Sequence, residues 1–224
     1  GIVLPSLFGK RAPEMQVPVP VIDDWAQYLP AAPVHKSPAI AIVSFGGTKP
    51  ITAGEGGAIL VNDPGLAERL RQQKRLTGGA SGLNLYPFSD LQAALALSQL
   101  GRKDEMALRR RAHADAYAEA LADMRGLSFA SPASADVPYR LPIRLSDELL
   151  ARTGGIEALI RKMAKRGIAV RRPVAVLLHH VRPQARPLPV ADDLFARTIS
   201  LPLYPSLVPE QRHAVIVALR EVLA

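Results

Sequence analysis

AIAIVSFGGTKPITAGEGGAILV, Ala39–Val61, reads as strand, tight turn, lysine, glycine-rich bend, strand. Ala39–Phe45 is a short apolar run rich in β-branched residues, which suits a buried strand. Gly46-Gly47 breaks it, Lys49 follows, and Pro50 stiffens the exit. Gly54-Glu55-Gly56-Gly57 makes a second bend, and Ala58–Val61 is apolar again. Two readings stand for the lysine. Held between buried strands by a glycine turn, its amine loses solvation and becomes a usable nucleophile for Schiff-base chemistry. In the other reading the segment is a hairpin whose lysine points into water.

The flanking sequence limits the classes of protein. With 224 residues, 48% hydrophobic and 21% charged, the chain has the composition of a globular protein with a sizeable core. It has no cysteine, which excludes disulfides, thiolate metal sites and cysteine nucleophiles and is compatible with a cytoplasmic location. No apolar run approaches the ~20 residues of a membrane helix. Gly1-Ile2-Val3-Leu4 has no basic flank and stops at Pro5, so a signal peptide is not expected. The first residue is not methionine, which fits a processed chain or an excerpt. The net charge of +8 favours anionic partners such as phosphorylated ligands, nucleotides or nucleic acid. The one tight basic run, Arg109-Arg110-Arg111, reads as a solvated helix face. With aromatics at 5% and no aromatic-basic pattern, nucleic-acid binding is disfavoured.

Upstream of the central stretch, Gly1–Phe8 reads as a strand ended by Gly9-Lys10-Arg11 and Pro13. Val17–Ile22 is apolar, and its prolines mark an edge or an extended entry. It runs into Asp23-Asp24-Trp25-Ala26-Gln27. Carboxylates at the end of an apolar segment matter because α/β proteins place ligands at the carboxyl ends of strands. The plainer reading is a loop or helix-start aspartate.

Downstream, Asn62-Asp63-Pro64 is a helix-start signal, and 66–76 alternates apolar and charged positions like an amphipathic helix. Ser89 and Gln92 have capping-box spacing and open an alanine-rich helix, 90–100, expected to be buried or at a subunit contact. Residues 103–124 read as a long helix between two domains. Further expected elements are strands at 137–145, 168–172 and 200–204 and helices at 156–166, 192–199 and 209–223. Strand and helix alternate, which favours an α/β or α+β architecture. His179-His180 has no carboxylate or third histidine at ligand spacing, so no metal site is expected.

Five segments, in order, resemble the DegT–StrS family of sugar aminotransferases, which use pyridoxal phosphate. They are VIDDWAQ, SFGGTK, GEGGAILVND, GLNLYPFSDLQAALALSQL and ISLPLYPSLVPEQ. The resemblance covers nearly all of the chain. It implies the C-terminal part of a fold-type-I large domain over residues 1–105, then a bridging helix and a smaller α/β (α+β) domain over 106–224. It also implies a further N-terminal segment, carrying a phosphate-binding loop and the group that stacks on the cofactor ring. In this resemblance Lys49 is the Schiff-base lysine and the proton shuttle. Asp24 pairs with the pyridine nitrogen, Gln27 sits by the phenolic oxygen, and Ser44 binds the phosphate. Asn84 reaches a phosphate across a homodimer interface. Two positions depart from the pattern: Trp25 replaces a small residue, and Tyr86 replaces a common arginine. Tyr86 and His180 are the substrate-side candidates. The implied reaction moves an amino group, with glutamate as donor, to a nucleotide-linked keto-sugar. The alternative is a non-catalytic homologue that keeps the fold as an association partner.

Overall fold

The computed structural model describes residues 1–30, 39–75, 88–129, 137–182 and 186–224. Two compact units divide the described chain: the first runs to Met106 and takes in Val137, and the second starts at Ala107 and resumes at Pro138. The fold is mixed α/β in element content.

The first unit is built on a four-stranded sheet in sequential order: β1 (Ile2–Pro5), β2 (Val21–Asp24), β3 (Ile40–Ser44) and β4 (Gly57–Val61). The first three strands are parallel, and β4 returns antiparallel to β3. The Ala39–Val61 stretch is therefore a hairpin, with Ser44 opposite Gly57 and Ile40 opposite Val61. Gly57 is required at its place, because a Cβ there would lie 2.5 Å from the Val43 carbonyl oxygen. β1 is shorter than the apolar run Gly1–Phe8. It stops at Pro5, and the chain then turns through Phe8 (φ 60°) and Gly9 (φ 94°). Residues 6–20 bring the chain back in parallel without a helix, although such crossovers are usually helical. The prolines at 18 and 20 lie in the entry to β2, which is an interior strand.

Helix α1 (Pro64–Arg75) follows, with the Asp63 carboxylate accepting from the Leu66 N–H at 2.9 Å. Helix α2 (Asp90–Gly101) opens on the expected capping box: Ser89 Oγ accepts from the Gln92 N–H, and Gln92 Oε1 accepts from the Ser89 N–H. The helix is not buried within the chain. Ala96 alone is buried, while Leu91 is 82% and Leu97 68% exposed. The unit boundary falls inside α3 (Lys103–Ala120), which ends a turn before Met124.

The second unit holds a three-stranded antiparallel sheet, β5 (Leu127–Phe129), β6 (Leu141–Leu145) and β7 (Thr198–Leu201), with β6 in the middle. The helices of this unit are α4 (Asp147–Thr153), α5 (Ile156–Ala164), the single turn α6 (Leu178–Val181), α7 (Pro189–Arg197) and α8 (Pro209–Leu223), of which α4, α5 and α8 contribute to the core. Tyr117, Ile143, Leu145, Leu159, Ile199 and Leu219 are fully enclosed in one core. Several elements differ from the sequence expectation. The run at 137–145 forms a strand only from Leu141, since Pro138 interrupts its start. The 168–172 strand reduces to one bridge, Arg171 to Ser200. The helix expected at 192 starts three residues earlier, on Pro189. Nor is the arginine run a solvated face throughout. Arg110 is buried and donates to the carbonyls of Leu203 (2.9 Å) and Tyr139 (3.3 Å), and its burial pulls its pKa down to about 10.

Candidate active site

The register of the parallel strands places the candidate residues on one edge of the first unit's sheet. Asp24 is the last residue of β2 and pairs with Ile42 of β3. Ser44 is the last residue of β3. Both stand at carboxyl ends of neighbouring strands, where α/β sheets bind ligands. Lys49 follows in the turn that leaves β3, its N–H donating to the Gly46 carbonyl at 2.9 Å. Gly46 lies between the two side chains: a Cβ there would be 3.5 Å from Ser44 Oγ and 3.8 Å from Lys49 Cγ. The hydroxyl and the foot of the lysine thus flank one glycine, and Lys49 is half-buried.

Local hydrogen bonds hold this edge. Asp24 Oδ1 accepts from the Ala26 N–H at 2.9 Å, an Asx turn that fixes the carboxylate's rotation. The Trp25 N–H donates to the Ile42 carbonyl at 2.8 Å, extending the β2–β3 contact past the last strand residue. Gln27 Oε1 lies 3.4 Å from the Phe8 nitrogen. This joins the turn after β2 to the loop after β1. The Phe45 N–H donates to the Gly56 carbonyl at 2.8 Å and its carbonyl accepts from the Ala53 N–H at 2.9 Å, which closes the lysine turn.

The neighbouring Asp23 faces the other side of the pleat. Burial pushes its carboxyl up from the ordinary value; Arg11 works against this and Glu14 with it. Trp25 is 4% exposed, meets Tyr28 edge-on at 5.5 Å, and has the Arg11 guanidinium 5.8 Å from its ring. Trp25 thus belongs to this unit's small core, with Tyr28 and Ala41.

The structure brings Asp24, Gln27, Ser44 and Lys49 to one sheet edge. Asn84 and Tyr86 lie outside the described residues. His180 belongs to α6 of the second unit. There the expectation of no carboxylate near the histidine pair fails in space. Asp192, twelve residues on, reaches both rings. Two further residues escaped the sequence reading. Ser6 is almost fully buried, donates its N–H to the Asp24 carbonyl at 2.9 Å and accepts the Ala12 N–H at 3.0 Å. Phe8 takes a left-handed backbone conformation uncommon for a residue with a side chain. The only signal for either was Gly9-Lys10-Arg11, which reads as a strand terminator.

A carboxylate, an amide, a hydroxyl and an amine on one edge form a donor set suited to a phosphorylated pyridine aldehyde. The amine can bond the aldehyde carbon, the carboxylate can hold a ring N–H, and the hydroxyl can donate to a phosphate. Glycine at 46 keeps the space between hydroxyl and lysine free of a side chain. The residues present fit that group.

Residues 14–220 match the DegT/DnrJ/EryC1/StrS aminotransferase family. Among solved structures, the aminotransferase TlmJ from Streptoalloteichus hindustanus is 26% identical, with a TM-score of 0.77 over 92% of this chain and 58% of that one. DesV of S. venezuelae is 24% identical, with a TM-score of 0.78 over 99% of this chain and 64% of that one. DesI, solved in the presence of its TDP-sugar product, is 25% identical, with a TM-score of 0.75 over 90% and 55%. The chain therefore spans under two thirds of the length of these proteins.

Proposed function

The chain belongs to the DegT/DnrJ/EryC1/StrS aminotransferase family, and from that premise we propose that it is a pyridoxal-phosphate-dependent sugar aminotransferase acting through Lys49. The amino group passes from a donor, glutamate, to a keto-sugar carried on a nucleotide. The observation that carries this reading is the strand register, which puts Asp24 and Ser44 at adjacent carboxyl ends with Lys49 in the next turn.

The residues divide the work. Lys49 holds the cofactor through its amine and afterwards carries the proton to and from the substrate carbon at Nζ. Asp24, its carboxylate oriented by the Ala26 N–H, accepts the hydrogen bond of the ring nitrogen and keeps that nitrogen protonated. Gln27 is assigned to the phenolic oxygen, and Ser44 Oγ to the phosphate. The bound pyridine ring supplies an electron sink for negative charge developing on the substrate carbon. Asn84 is assigned to a phosphate of a second copy, with Tyr86 on the substrate side. The exposed leucines of α2 support a homodimer, since apolar side chains so open to water gain by association. The charge of +8 suits a diphosphate-bearing sugar, and DesI, solved with a TDP-sugar product, supports that substrate class.

The test is chemical capture. The chain is mixed with pyridoxal phosphate, reduced with borohydride and mapped by mass spectrometry. The adduct is expected on Lys49 and should be lost in Lys49→Ala, while Asp24→Asn weakens uptake. An adduct spread over other lysines, or none, would overturn the assignment.

A further inference from the structure

His179 and His180 occupy the single turn α6, and Asp192 lies in the first turn of α7. Both Nε2 atoms approach the same oxygen, Asp192 Oδ1, at 2.9 Å for His179 and 2.6 Å for His180. The two rings meet edge-on with centroids 4.5 Å apart. We propose that this trio is a binding site for a divalent transition-metal ion, with zinc the best match, clipping α6 to α7.

The ligand chemistry selects the ion. Two imidazoles and one carboxylate are the donors that zinc and its borderline neighbours take, whereas calcium and magnesium want oxygen alone. The three donor atoms lie within 4.8 Å of one another. Zinc holds nitrogen and oxygen at about 2.0–2.2 Å in a tetrahedron, which spaces its ligand atoms by about 3.4 Å. Both nitrogen–oxygen distances, 2.9 and 2.6 Å, are shorter than that, as expected of a hydrogen-bonded cluster that must open to admit an ion. An ionised carboxylate only accepts, so each ring carries its proton on Nε2 in this arrangement. Metal uptake moves that proton to Nδ1 and gives the Nε2 lone pair to the ion, while Asp192 contributes the negative charge.

The surroundings permit access. The His179 side chain is 13% exposed and anchors the site, while those of His180 and Asp192 are 47% and 43% exposed. Phe195 places its ring 6.1 Å from His180 and has the Arg172 guanidinium over it at 4.3 Å. That cation is paired with Glu157 at 3.0 Å. The adjacent Asp193 is engaged by Arg144 and Arg197, which leaves Asp192 as the carboxylate that serves the histidines. Three protein ligands leave the fourth tetrahedral position for water or an added ligand. With no cysteine in the chain, no thiolate competes.

The experiment titrates tag-free protein with zinc by calorimetry, and with cobalt(II) by visible absorbance. One equivalent of zinc should bind saturably, cobalt should give d–d bands, and calcium and magnesium should give no heat. Asp192→Asn keeps a hydrogen-bond acceptor but loses the charge, and His180→Gln removes one imidazole. Each should weaken zinc binding by more than roughly tenfold, at least the cost of losing an outer partner of a metal site. His213→Gln, at an exposed histidine of α8, should leave it unchanged. Zinc should also raise the melting temperature of the unmutated protein, because it binds the folded state. No saturable zinc binding, or binding that survives both site variants or falls with His213→Gln, would overturn the proposal and leave a hydrogen-bonded clasp only.

Discussion

Among the described residues the two units expose equally many large apolar side chains, but the second closes one large core and the first only a small one. β6, β7, α4, α5 and α8 close over one core in which Leu159 and Ile143 have no exposed surface. Among the described residues, the sheet that carries Asp24, Ser44 and Lys49 has Trp25, Tyr28 and Ala41 at its centre, with Val43 packed against them. Val3, Ile59 and Leu60 stand about half or more exposed on its strands. A hydrophobic core is therefore the main source of stability in one unit. In the other the described core is small. The edge proposed for chemistry lies in the less buried unit, as sites that must admit ligands commonly do.

The largest expected effect tests this contrast directly. Leu159→Ala should cost about 2–5 kcal/mol in urea unfolding, whereas Val3→Ala on the exposed sheet face should stay within about 0.5 kcal/mol. Equal costs would erase the distinction. Next comes Gly57→Ala, whose Cβ would collide with the Val43 carbonyl oxygen. A loss of about 1–3 kcal/mol is expected, and hydrogen exchange should rise in β3 and β4 while β6 stays protected. Trp25→Phe is smaller. The Trp25 Nε1–H is buried without a hydrogen-bond partner among the described residues, so removing it should change stability by less than about 1 kcal/mol.

The smallest effects differ in sign between the units. Burial raises the Asp23 carboxyl above its ordinary 3.8, with Arg11 opposing. Its contribution is present below the unfolded value and lost as pH rises through the folded one. Asp23→Asn should thus raise the melting temperature at pH 7 and leave it unchanged at pH 3. In the second unit, the hydrogen bonds from Arg220 lower the Asp123 carboxyl below 3.8. Its contribution is present at neutral pH and lost as pH falls through the depressed value. Asp123→Asn should lower the melting temperature at pH 7, with the deficit closing in strong acid. Shifts of the same sign in both variants would contradict the assigned causes.

How much of this was readable from residues depended on how local the determinant was. The β3–β4 hairpin could be read because Gly46-Gly47 and the 54–57 glycines interrupt two apolar runs within one short stretch. The α2 start was equally local, since Ser89 and Gln92 are three residues apart. Asp24 and Ser44 could be read as strand ends, but their adjacency rests on β2–β3 register, which no local pattern encodes. Asp192 was missed because twelve residues separate it from His180 and only α6 and α7 bring them together. Arg110 was misjudged because its run looks polar, whereas the Tyr139 and Leu203 carbonyls that receive it are distant in sequence.

The helix-free return between β1 and β2 has a kinetic consequence. Closing a loop becomes costlier only slowly with its length, and ten residues can close in about 10–100 ns. A connection over residues 6–20 therefore lets two parallel strands find each other almost as readily as a hairpin does. The β1–β2 ladder should form early, soon after β3 meets β4, and well before Arg144 and Thr198, which lie far apart along the chain, can pair in β6 and β7. On a ribosome, the strand that ends in Asp24 would be set beside its first neighbour while the second unit was still unsynthesised. Pulse-labelled exchange in which the β2 amides gain protection no sooner than those of β7 would refute that order.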